Sequence, residues 1–116
     1  MHIDMEKPGK RLKVYMGESD HYHGKPFYEA IVYRMRAEKI RGATVTRGIE
    51  GYGAGSHIVH TANLLRFSSD LPIIVEIIDT EEGIKKATEI IKTMIDDAKC
   101  GVLMTVENVE ILRYTP

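Results

Sequence analysis

The chain has 116 residues, enough for one domain and too few for two ordinary ones. Hydrophobic residues make up 43%, which supports a core rather than disorder, and 16 basic against 17 acidic residues leave none of the basic excess of a domain that coats nucleic acid. Cys100 is the only cysteine, so an intrachain disulfide is excluded, and no run reaches the roughly 20 apolar residues that a membrane-spanning helix needs.

Residues 1–10 are polar, lack the apolar stretch of a signal peptide and contain Pro8-Gly9. They read as a flexible arm before a single domain at 11–116, and the expected location is the cytoplasm. Leu12, Val14 and Met16 alternate with Arg11, Lys13 and Tyr15, the period of a strand with one buried face. Gly17 ends it. After His21-Tyr22-His23-Gly24-Lys25, Pro26 suits a first helical turn, and Phe27, Ala30, Ile31 and Met35 follow helical spacing as far as a stop at Gly42. A second strand, rich in β-branched residues, spans 43–47.

A glycine-rich segment follows, with Gly48, Gly51, Gly53 and Gly55 ahead of His57, His60 and Arg66. Ser68 to Pro72 closes it. Residues 73–79 form the most apolar run in the chain and predict a central strand covered on most sides. Asp79 with Glu82 three residues on has the pattern of a capping box. The second helix is expected to run to about Ala98, burying Ile84, Ala87, Ile91 and Ile95 with Ile90 and Met94 beside them. Residues 102–106 predict the last main strand. Asn108 is a candidate break before an extra C-terminal strand at 109–114.

Two β-α-β halves in this order predict a ferredoxin-like α+β fold: a βαββαβ chain whose antiparallel sheet carries both helices on one face. The stretch Ile73 to Ile78 is apolar on both faces. The face without helices is therefore expected to meet another subunit.

The chemistry concentrates in the glycine segment. Glycines allow backbone N–H groups to approach an anion closely, so Gly51-x-Gly53-x-Gly55 reads either as an anion cradle or as a hairpin tip. No dinucleotide-binding helix follows it, and no Gly-Lys-Ser/Thr triplet makes it a P-loop. Arg47 and Arg66 flank the segment. Arginine pairs bidentately with phosphate or carboxylate, and the competing reading is a surface ion pair with Glu50 or Asp70. His21 with His23 in an extended segment, and His57 with His60 in a helical turn, have spacings that a shared metal ion can use. No cysteine accompanies them, and the reading ranked ahead of it is solvated loop histidines. No serine or cysteine stands in a nucleophile setting, which ranks an enzyme last. Tyr15 and Tyr52 are candidates for stacking on a base, or for packing.

Several blocks resemble a known family. Leu-Lys-Val-Tyr-Met-Gly-Glu at 12–18, His-Gly-Lys-Pro-Phe-Tyr-Glu at 23–29, Gly-Ala-Thr-Val-Thr-Arg-Gly-Ile-Glu-Gly-Tyr-Gly at 42–53 and Ser-Ser-Asp-Leu-Pro-Ile-Ile-Val-Glu-Ile-Ile-Asp at 68–79 look like domain-of-unknown-function (DUF) family 190, which is grouped with the PII-like signalling proteins. The resemblance implies a ferredoxin-like protomer, a homotrimer and a non-enzymatic regulator. It also implies a small-molecule effector in the clefts between subunits, most plausibly an adenine nucleotide. The loop at about 51–66 would switch on binding and contact a membrane transporter or an enzyme. The residues placed at the ligand by this reading are Arg47, Gly48, Gly51, Tyr52, Gly53, Arg66, Lys99 and Gly101. PII proteins proper hold nucleotide phosphates in a Thr-Gly-x-x-Gly-Asp-Gly-Lys-type turn. Here Asp96-Asp97-Ala98-Lys99-Cys100-Gly101 has one glycine, one lysine and two acids, which argues against ATP held in that manner. The alternative is a divalent-metal-binding trimer of the same fold, like the CutA family, using His57 and His60.

Overall fold

The computed structural model describes residues 8–54, 60–61 and 70–116. In chain order the elements are β1 (Pro8–Gly17), β2 (His21–Tyr22), β3 (Lys25–Pro26), α1 (Phe27–Ala37), β4 (Thr44–Arg47), β5 (Glu50–Gly51), β6 (His60–Thr61), β7 (Pro72–Thr80), α2 (Glu81–Ala98) and β8 (Leu103–Glu110). The main sheet has four strands in the order β4-β7-β1-β8, all neighbours antiparallel. With two helices on one face, this is the ferredoxin-like α+β fold.

The period-two pattern of β1 has the expected consequence. Leu12, Val14 and Met16 point to the helices, beside Ile73, Val75 and Ile77 of β7. Phe27, Ile31 and Met35 of α1, and Ile84, Ala87, Ile91 and Met94 of α2, complete the core. The buried stripe of α2 ends on Met94, with Ile95 one position further round and only partly buried.

Several boundaries differ from the sequence expectations. The first strand begins at Pro8, inside the stretch read as an arm, because Pro8 and Gly9 pair with Glu110 and Val109 of β8. Helix α1 does not reach Gly42. Lys39 turns left-handed at φ 64°, its N–H bonds the Arg36 carbonyl at 3.0 Å, and Ile40 N–H bonds the Met35 carbonyl at 3.0 Å. This is a Schellman ending without glycine, and burial of Ile40 offsets the left-handed strain at Lys39. At the start of α2 the cap is Thr80, whose Oγ1 accepts from Gly83 N–H at 3.1 Å, so Asp79 and Glu82 do not form a capping box.

Asp79 does something else. It is wholly buried at the end of β7 and accepts from Thr80 N–H at 2.6 Å, from Arg41 N–H at 3.1 Å and from Arg41 Nη1 at 2.9 Å. A buried carboxylate needs such partners, because an unpaired one carries a large desolvation cost. Asn108 does not break β8. It pairs with Lys10 in the ladder and accepts a 2.7 Å hydrogen bond from Lys10 Nζ. The extra C-terminal strand is absent. After Glu110 the chain leaves the ladder, Ile111 lies against Gly9, and Tyr114 sits beside Thr44, Glu76 and Ile78 on the helix-free face.

The segment before α1 is more ordered than its composition suggests. His21 pairs with Pro26 and Tyr22 with Lys25, across a turn in which His23 and Gly24 both have positive φ (50° and 81°). Pro26 therefore stands just ahead of the helix in extended conformation, and Phe27 is the first helical residue.

Candidate functional site

Three chain reversals meet at one end of the sheet. The register pairs Gly17 with Pro72, Arg47 with Ile73, and Tyr15 with Leu103. The turn after β1, both stems of the glycine-rich segment and the turn before β8 are thereby neighbours, although they are far apart in sequence.

Backbone hydrogen bonds fix this junction. Gly48 N–H donates to the Pro72 carbonyl at 2.7 Å and Glu18 N–H to the Leu71 carbonyl at 2.9 Å. The β1 turn closes on itself, with Asp20 Oδ2 accepting from Gly17 N–H at 2.9 Å, while Ser19 N–H donates to Asp70 Oδ1 at 2.9 Å. Arg47 Nη2 lies 2.7 Å from Glu18 Oε2. The ion pair of Arg47 is thus made with Glu18, a partner that sequence spacing did not suggest.

Between these turns lies a cavity of about 140 Å³. Of the residues placed at a ligand from sequence, Gly51, Tyr52, Gly53 and Gly101 line it. Gly48 stands behind them, bonded to Pro72. Arg47 is more than half exposed and turned to Glu18. Lys99 is exposed in left-handed conformation at the end of α2 and does not line the cavity. Arg66 and His57 lie outside the described residues, and of His60 only the backbone pairing with Gly51 is described.

Other walls were not singled out from sequence as ligand residues: Gly17, Asp20, Asp70, Pro72 and Leu103, together with Tyr15, which was noted only as a candidate for stacking. The signal that finds them is strand pairing. Once Gly17 is set opposite Pro72, the β1 turn and the loop stem must share a surface.

Two carboxylates, Asp20 and Asp70, are among the described walls of the cavity, which include no lysine or arginine. Burial pushes the Asp20 carboxyl above its ordinary range, the Gly17 N–H opposes that shift, and the nearby charge of Asp70 adds to it.

A second polar cluster ties the β2–β3 hairpin to the end of α2. His23 Nε2 is 2.8 Å from Asp97 Oδ2, and this hydrogen bond leads the causes that hold the Asp97 carboxyl below its ordinary value. Burial, then the charge of Asp20, push the Cys100 thiol up, which makes it a poor nucleophile at neutral pH. Among the described residues no three histidine, cysteine or acidic side chains are arranged to hold a metal ion. No described helix is long and apolar enough to cross a membrane.

Comparison with known proteins agrees with this architecture. The family described as "DUF190: Uncharacterized ACR, COG1993" matches residues 9–111. A "UPF0166 protein" of Aquifex aeolicus (strain VF5) is 40% identical over 103 residues, which is 89% of this chain and 92% of that protein. A second UPF0166 protein, from Methanocaldococcus jannaschii, is 40% identical over 77 residues, 66% of this chain and 69% of that one. Among solved structures, a "putative PII-like signaling protein" from Thermus thermophilus superposes with a TM-score of 0.65 at 18% identity, covering 91% of each chain. The nitrogen regulatory PII-like protein CPII of Thiomonas intermedia K12, bound to ADP, AMP and bicarbonate, superposes with a TM-score of 0.62 at 20% identity, covering 91% of this chain and 90% of that one. The fold is therefore PII-like, and the chain belongs to the DUF190 family.

Proposed function

We propose that this protein is a PII-like signalling subunit that assembles as a cytoplasmic homotrimer and senses an adenine nucleotide in its inter-subunit clefts. The observation that carries the reading is the cavity at the loop stem. Its walls include the first residues of the 51–66 loop, Gly51 to Ala54, and the stem residue Asp70. A ligand seated there touches the loop itself, so it can favour one loop arrangement over another. That is the requirement for a switch, because a ligand moves an equilibrium only through its differential affinity for the two states.

Two further observations support the reading. The cavity is smaller than the roughly 300–1,000 Å³ of sites that enclose a whole small molecule, as expected of a cleft completed by a second chain. The PII-like protein CPII, whose fold is similar, was solved with ADP and AMP bound. In this reading the loop at 51–66 carries the change to a partner protein, a membrane transporter or an enzyme.

The test is a thermal-shift screen of the purified protein against adenine nucleotides, with mass measured by light scattering. Ligand binding to the native state raises the melting temperature by mass action. A rise with an adenine nucleotide, weakened in Tyr52→Ala without loss of the trimer, is the expected result. A monomer that responds to no nucleotide would overturn the proposal.

A further inference from the structure

The chain beyond β8 is held against the sheet at two points. Ile111 packs on Gly9 of β1, where the missing side chain leaves room for it. Tyr114 lies with Thr44, Glu76 and Ile78 around a cavity of about 160 Å³. Arg113 Nε donates to Thr115 Oγ1 at 2.9 Å, which closes the tail on itself. Residues 111–116 thus run across the helix-free face, from β1 at Ile111 to β7 and β4 at Tyr114. Between these anchors Leu112 is 74% exposed. The tail is seated, yet it leaves a large apolar side chain in water.

The face that the tail crosses carries charges of both signs. Arg11 lies 3.4 Å from Glu76 and 3.1 Å from Glu107, and Lys13 lies 4.0 Å from Glu107. These two bases and two acids cancel, so the row can meet its own copy without net repulsion. A partner of strong net charge gains little from it. Exposed apolar side chains flank the row, Ile78 beside Arg11 on the tail side and Leu103 beside Tyr15 at the other end.

Resting on the trimer proposed above, we infer that the C-terminal tail is an assembly element, which presents Leu112 on the helix-free face to a second copy of this chain. Gly9 and Ile78 seat the tail, and Leu112 is the apolar area that it offers. The balanced charge row is what selects a like copy as the occupant. The contact therefore includes the tail as well as the strands, although no tail residue belongs to the buried core of the protomer.

The experiment is light-scattering mass over a dilution series of the full chain, for the wild type, Leu112→Glu and Tyr33→Glu. Tyr33 is 58% exposed on α1, on the other side of the sheet, so it controls for a new charge at an exposed apolar position. The wild type is expected to be a trimer. Leu112→Glu should raise the concentration at which it dissociates at least about tenfold, because a charge replaces apolar area in the contact. Tyr33→Glu should leave that concentration unchanged. Urea unfolding in the dissociated range should be the same for the wild type and Leu112→Glu, since so exposed a side chain adds little to the protomer itself. A trimer whose dissociation is unmoved by Leu112→Glu, or moved equally by Tyr33→Glu, would overturn the inference and leave the trimer standing. So would a lower urea midpoint for Leu112→Glu, since Leu112 would then serve the protomer's own fold. A wild type that is monomeric at every concentration would overturn both.

Discussion

Gly83 sits in the first turn of α2, where helix propensity alone favours alanine by about 1 kcal/mol. The structure reverses that sign. A Cβ on Gly83 would fall 2.6 Å from both Cγ and Oδ1 of Asp79. Asp79 cannot swing away cheaply, because it is wholly buried and its carboxylate is held by Thr80 N–H and twice by Arg41. Moving it forfeits at least one hydrogen bond to a charged group, about 1.5–3 kcal/mol. Gly83→Ala should therefore destabilise the fold by about 0.5–2 kcal/mol after the propensity gain is subtracted. The assay is urea unfolding at fixed protein concentration, since association with a second copy would otherwise shift the midpoint. The decisive step is the double-mutant cycle with Asp79→Ala. Once the carboxylate is gone, Gly83→Ala should become neutral or stabilising, and the two changes should couple by more than about 1 kcal/mol. A Gly83→Ala variant that is more stable than the wild type, with Asp79 in place, would refute the reasoning.

Three further outcomes are expected. Gly48→Ala places a Cβ 2.8 Å from Pro72 Cγ, so it should weaken the clamp between the loop stems, read as faster hydrogen exchange of the residue-48 amide. His23→Ala removes the leading cause of the lowered Asp97 carboxyl and should raise its pKa, as followed by carboxyl NMR titration. Because the folded-state value is depressed, the contribution of this pair is present above the unfolded-state pKa and is lost as pH falls through the lowered one, and the variant should lack that acid-side slope. Ile77→Ala removes a fully buried side chain from the centre of β7 and should cost about 2–5 kcal/mol in the same urea assay.

Local periodicity is strong enough to place the main elements. Leu12, Val14 and Met16 can be buried together only on a strand, and Ile84, Ala87 and Ile91 only on a helix. The boundaries escaped because they depend on partners. Lys39 ends α1 by accepting a left-handed conformation that burial of Ile40 compensates, whereas composition points to Gly42. Asp79 looks like a cap until Arg41, which is distant in sequence, is found beside it. Asn108 looks like a break until Lys10 faces it across the ladder. The candidate site divides in the same way. Gly51, Tyr52 and Gly53 stand out as a local cluster, while Gly17, Asp20 and Asp70 reach the cavity only through the pairing of β1 with β7. The two aspartates at the cavity are therefore not legible as site residues, because only the pairing of distant strands brings them there, whereas the arginines of the segment stand out locally.

The junction also constrains how a loop switch would have to work. Glu18 N–H to Leu71, Gly48 N–H to Pro72 and the Arg47–Glu18 pair hold both stems of the loop against the end of β1. A ligand in the cavity meets Gly51 to Ala54, which lie on the loop side of that clamp, and Asp70, which the clamp holds through Ser19. The stems need not move for the loop to respond. All of the differential affinity then has to come from contacts to Tyr52 and its neighbours, and turning a loop equilibrium from 1:99 to 99:1 requires about 5.5 kcal/mol of it. A cavity of about 140 Å³ engages only one end of a nucleotide. Ring stacking there supplies about 1–3 kcal/mol, so a complete switch needs contacts to the rest of the ligand from beyond these walls. In the proposed trimer those contacts come from the adjoining subunit, which makes assembly a condition of switching rather than a separate property.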